Sequence, residues 1–189
     1  LPAAPIKLFC TLSDEAERRA NPDKNHWSRT QCWTLREMLG YDKSDSTDNL
    51  SFSTASLTRH IEWLVVGNFM VDFDYLLDEI PALLSFPNVV VFYGNADSEQ
   101  PWKSACPGAE FIRLNPSDPP GLSNPTGQRI PYGVHHSKFF LVGYSDSTIR
   151  VIVHTSNLTY TDIHVKAQAA YIQDFSMKQQ EQENNDNDN

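Results

Sequence analysis

Two apolar, β-branched runs at 138–144 and 148–154 flank the short polar stretch Ser145-Asp146-Ser147. Such a pair folds as an antiparallel hairpin. It also fixes which side chains can meet. Alternate residues of an extended strand share a face, so His136 and Lys138 stand side by side where the first run begins. One strand return then brings Asn157, just beyond the second run, to the same end. An imidazole, an ammonium and a neutral amide would thus converge on a volume about the size of a phosphate. Lys138 lies in an otherwise apolar strand, where an unpaired ammonium is costly, so it needs a partner or an anionic ligand.

Further strands are expected at 61–69, 89–93, 111–114 and 169–172. A helix is expected over 72–80, with acids in its first turn, where they suit the helix dipole. A shorter helix behind a Ser13 cap is expected before Asn21-Pro22-Asp23, and a short amphipathic segment over 33–40. Strand, helix, strand and then more strands predict an α/β domain, a mixed β-sheet flanked by helices. Residues 1–31 read as a polar N-terminal segment, 32–175 as the lobe with its core, and 176–189 as a disordered polar tail. Residues 42–48 read as a polar loop and 115–127, rich in proline, serine and glycine, as another. No internal repeat is visible.

The 189 residues suffice for one domain and are marginal for two. No run is long enough for a membrane span. The chain opens at Leu1 rather than Met, so a missing native N-terminus is expected. Cys10, Cys32 and Cys106 are odd in number and widely spaced, which favours a reducing, intracellular setting over a disulfide framework. The net charge of −9 argues against nonspecific nucleic-acid binding. That charge is uneven. From Asp174 onward Glu181, Glu183, Asp186 and Asp188 follow, against Lys178 alone. Between 129 and 166, Arg129, Lys138, Arg150 and Lys166 outweigh Asp146 and Asp162, and His135, His136, His154 and His164 fall in the same stretch. A locally basic site on an acidic chain can still hold a phosphate.

The chemistry these residues suit is metal-independent phosphoryl transfer. A neutral imidazole can attack phosphorus and form a phosphohistidine. Lys138 and Asn157 can supply fixed donors to the phosphoryl oxygens. Zinc is the rival, but His135 and His136 are adjacent and point to opposite faces, and no cysteine or H-E-x-x-H pattern accompanies them. No metal or cofactor is expected. His26 and His60 have no chemical context.

The block Tyr132-Gly133-Val134-His135-His136-Ser137-Lys138, followed by Val151-Ile152-Val153-His154-Thr155-Ser156-Asn157-Leu158, closely resembles the first active-site motif of the tyrosyl-DNA phosphodiesterase branch of the phospholipase D superfamily. A weaker resemblance runs through Gly67-Asn68-Phe69-Met70-Val71-Asp72-Phe73-Asp74-Tyr75-Leu76 and through 89–94. The wider superfamily has an aspartate five residues after the lysine. Here that position is Gly143, and the later asparagine takes over, as in the tyrosyl-DNA branch. The resemblance implies one phospholipase D-like lobe with His136 as nucleophile and Lys138 and Asn157 as phosphate ligands. Gln168 would orient a catalytic histidine. Tyr132 would contact DNA, and Phe69 would stand at the rim of the substrate groove. Both also have plain readings as packing residues.

The implied substrate is a DNA 3′ end bearing a tyrosyl peptide, left by topoisomerase I, and the implied location is the nucleus. The family has two such motifs. The second supplies another histidine, lysine and asparagine; the only other H-x-K here, His164-Val165-Lys166, begins seven residues after Asn157, too close to belong to a second lobe. The chain is therefore expected to be the N-terminal lobe of a two-lobed DNA-repair phosphodiesterase. By itself it should be inactive or limited to a single turnover. Two other readings remain open. One is a homodimeric phospholipase D-type nuclease in which each copy supplies one motif. The other is a non-catalytic lobe that binds DNA ends or another protein.

Overall fold

A computed structural model describes residues 6–20, 32–40, 60–84, 86, 88–96, 106 and 108–176. Its frame is one eight-stranded mixed sheet in the order β2-β1-β8-β7-β6-β3-β4-β5. The strands are β1 (Ile6–Phe9), β2 (Cys32–Trp33), β3 (Ile61–Val71), β4 (Val89–Ala96), β5 (Ala109–Arg113), β6 (Phe139–Tyr144), β7 (Thr148–His154) and β8 (Ala169–Ser176). β3, β4 and β5 run parallel to their neighbours in this series. β6, β7 and β8 run antiparallel, starting from β3. The expected α/β class with a mixed sheet is observed, although the helices are short.

The helices follow local signals. Thr34 caps α2 (Leu35–Leu39) with a reciprocal box to Glu37, and Gly40 ends it at φ 70°, a conformation that suits a residue without Cβ. Asp72 caps α3 (Phe73–Glu79) by accepting from the Tyr75 N–H. α1 (Leu12–Ala20) has the same kind of start, but its cap is Thr11, not Ser13. The Thr11 hydroxyl accepts from Asp14 N–H, and the Asp14 carboxylate accepts from Thr11 N–H.

α2 and α3 contribute to the core that covers one sheet face. Leu35, Met38, Leu39, Phe73 and Leu76 join the row Val91, Val66, Phe140, Ile152 and Ile172, all buried. Directly opposed residues lie on one face, and the registers align these five strand positions. Burying this row is the main favourable term for a sheet of this kind.

The division drawn between residues 31 and 32 is not where the sheet divides. β1 pairs with β8 and β2, and Phe9 is 1% exposed in the core. Only four residues form the strand, with two of them facing inward, so its periodicity is too short to stand out in a polar segment. β8 continues to Ser176, past the expected end of the lobe. The expectation for a polar loop at 42–48, and the part of the expected disordered tail 176–189 that lies beyond Ser176, fall outside the described residues. Among the described residues, no helix is long and apolar enough to cross a membrane.

Candidate active site

β3, β4 and β7 end at the same edge of the sheet, where β6 begins. The carboxyl ends of strands are the usual ligand edge of α/β sheets, and the histidine, lysine and asparagine gather there. His136 and Lys138 lie just before β6, and the Lys138 carbonyl accepts from the His154 N–H at 3.0 Å, extending the hairpin ladder. Lys138 is 7% exposed, whereas His136 is exposed. The Lys138 ammonium stands 3.3 Å from His136 Nδ1 and donates to the His136 carbonyl at 3.2 Å. Burial pushes the Lys138 pKa down, and the Asp162 carboxylate partly opposes that. The structure thus holds a dehydrated positive charge against an accessible imidazole.

Asn157 reaches this edge by the expected antiparallel return of β7 along β6. The segment after β7 is stitched to the end of β3. Asn68, fully buried, donates from Nδ2 to the Ser156 carbonyl at 3.1 Å. Leu158 N–H donates to Met70 O, and Asp72 N–H donates to Leu158 O. Between these anchors, Asn157 donates from both its backbone N–H and Nδ2 to Asp162, on the short helix α4 (Tyr160–His164).

Asp162 is the site residue that the sequence reading missed. Burial alone would raise its pKa, but hydrogen bonds from Lys166 and Asn157 outweigh that and hold it below the ordinary carboxylate range. A signal was present in Thr159-x-x-Asp162, where the Thr159 hydroxyl accepts from Asp162 N–H.

The other expected residues separate. Phe69 lies beside His136, with ring centroids 5.1 Å apart. Gly94 makes this possible, because a Cβ there would meet Phe69 Cδ2 at 2.7 Å. Tyr132 is 99% exposed at φ 60°, so it does not pack beneath the strand. A non-glycine residue held in the left-handed region and fully presented to solvent is uncommon. Among the described residues, the Gln168 side chain is hydrogen-bonded to Thr155. Its side-chain oxygen accepts from the Thr155 hydroxyl, and its carbonyl accepts from Phe9 N–H.

His135 and His136 differ in exposure, the second being the more open. His135 is half-buried, and burial together with Lys138 and His136 keeps its pKa below the usual range. Among the described residues, no group of three or more His, Cys, Asp or Glu side chains is placed to hold a metal ion.

The family model for tyrosyl-DNA phosphodiesterase matches residues 31–189. A tyrosyl-DNA phosphodiesterase 1 of Arabidopsis thaliana is 33% identical over 180 residues, covering 92% of this chain and 24% of the plant protein. A tyrosyl-DNA phosphodiesterase 1 of Drosophila melanogaster is 29% identical over 114 residues, covering 59% of this chain and 18% of that protein. A crystal structure of the yeast tyrosyl-DNA phosphodiesterase has a TM-score of 0.56 at 12% identity, covering 88% of this chain and 31% of that one. That last likeness is one of fold alone. The chain spans about a quarter or less of the length of the curated relatives it matches.

Proposed function

This chain belongs to the tyrosyl-DNA phosphodiesterase family of phosphodiesterases, and from that premise we propose that it is one catalytic lobe acting on DNA 3′ ends that carry a phosphotyrosyl group. The observation that carries the reading is the exposed His136 imidazole held 3.3 Å from a buried ammonium. A ring nitrogen of His136 attacks phosphorus, and the bond from phosphorus to the tyrosyl oxygen breaks. The electron pair leaves with the phenolic oxygen, which takes up a proton. Water then cleaves the phosphorus–nitrogen bond, releasing a 3′ phosphate and restoring the imidazole. Lys138 and Asn157 neutralise and hold the phosphoryl oxygens through both steps.

Tyr132, fully exposed four residues before the nucleophile in the chain, offers a stacking surface to a nucleobase. Phe69 borders the imidazole. Such a substrate places the protein in the nucleus. The proton for the leaving phenol comes from a second lobe, with its own histidine, lysine and asparagine. Without it, loss of acid assistance lowers the rate by about 10²- to 10⁴-fold.

The test is incubation of the chain with a 3′-phosphotyrosyl oligonucleotide. A base-stable, acid-labile protein–DNA adduct should form slowly and be absent in His136→Ala. Release of tyrosine over many cycles by monomer would refute the two-lobe requirement, and an adduct that persists in His136→Ala would refute the nucleophile.

A further inference from the structure

The Asn157 carboxamide is not free to choose its orientation. Its Nδ2 donates to Asp162 Oδ2 at 2.8 Å, and its backbone N–H donates to the same oxygen at 3.1 Å. Its Oδ1 is buried and has no partner among the described residues. An orientation that orphans a buried carbonyl persists only if the nitrogen end gains more, because an unsatisfied acceptor is costly. An ionised carboxylate accepts and cannot donate. Turned over, the amide would press its oxygen against Asp162 and lose both the bond and the charge assistance.

Asp162 is 7% exposed, so this bond is little diluted by water. Its other oxygen accepts from Lys166 Nζ, which offsets a negative charge that would otherwise repel an anion.

We propose that Asp162 is a positioning residue: it takes one hydrogen of the Asn157 amide and so presents the second to a phosphoryl oxygen. The role rests on reading this edge as a phosphoryl site. It explains why an asparagine distant in sequence can serve there. A free carboxamide can turn about its Cβ–Cγ bond and must be ordered before its donor end meets an anion. One pinned by a carboxylate presents its donor only. α4 has anchors besides Asp162. Ile163 is buried, and Tyr75 Oη is 3.1 Å from His164 Nε2.

Two measurements on the whole chain test the role. The first needs no ligand. The side-chain amide protons of Asn157 should exchange slowly with solvent by NMR in the parent, and at least tenfold faster in Asp162→Ala. Asp162→Asn, which keeps a carbonyl acceptor of the same shape, should restore part of the protection. Equal exchange in all three proteins would overturn the proposal.

The second is affinity for a 3′-phosphotyrosyl oligonucleotide, compared with its 3′-hydroxyl counterpart, in a double-mutant cycle. Asp162→Ala should weaken binding about tenfold, the size of one charge-assisted bond. It should have no further effect once Asn157 is alanine. The same loss in both backgrounds would mean that Asp162 acts on stability and not through Asn157, and would overturn the proposal. If the parent chain does not distinguish the two oligonucleotides, the phosphoryl reading fails, and the amide exchange alone decides the positioning role.

Discussion

Lys138 shows how one residue can report a site. An ammonium in an apolar run is expensive unless something rewards it, and here the reward is placement against His136. Its cross-strand neighbour His154 pays the opposite way. His154 is stacked on Phe140 at 5.0 Å and lies near Phe9, and neither ring nitrogen has a partner among the described residues. Burial, then the Lys138 charge, pushes its pKa down to about 3, and the nearby Ser156 backbone opposes this only weakly.

In the unfolded chain a histidine takes its proton near pH ~6.5. Between that value and about 3 the unfolded state therefore binds more protons, and His154 removes stability as the pH falls through this window. Above it the contribution is complete. His135, also held low, acts in the same sense. His154→Phe keeps the aromatic stack and removes the orphaned nitrogens. Thermal scans should show that it loses less melting temperature than the parent as pH falls from neutral into the mildly acidic range. Equal losses would mean that His154 is not a buried neutral ring.

Among the elements, β6 carries the clearest physical reason for a departure from the wider superfamily. Gly143 opposes Trp63 on β3, and a Cβ at Gly143 would lie 2.0 Å from Trp63 Cε2. The indole fills the space over the glycine, so an aspartate has no room at that position. The amide at the site comes instead from Asn157, beyond the end of β7. Gly143→Ala should cost about 1–3 kcal/mol by chemical denaturation, the usual range for overpacking. Shortening Trp63 to alanine in the same chain should recover part of that loss. No recovery would show that strand backbone, not the indole, demands the glycine. The short helices were legible from their caps, Thr34 with Glu37 and Asp72 with Tyr75. α1 was displaced by two residues because Thr11 and Ser13 are both sound caps. Which one is used depends on Asp14, three residues after Thr11.

For the whole molecule, the two faces of the sheet differ sharply. One holds the core. On the other, Ile6, Tyr171 and Val153 form a cross-strand row and are 59, 42 and 52% exposed. Phe175 on the same face is 53% exposed. An apolar surface spread over three strands promotes association. Replacing Val153 and Phe175 by threonine, which keeps strand propensity, should lower self-association in sedimentation at high concentration while shifting the melting temperature by only a few degrees. Unchanged association would exonerate this face.

Local information determined most of what this chain is. The apolar runs specified strands, the caps specified helix starts, and the spacing of His136 and Lys138 put an imidazole beside an ammonium, because those signals act over a few covalent bonds. Only the tertiary structure decided the rest. It recruited Ile6–Phe9 into the sheet, paired Gln168 with Thr155, and gave Asn157 to Asp162. These depend on which strand edges meet and which buried polar groups must find partners once water is gone. Those demands arise between segments far apart in the chain, and only in the folded state.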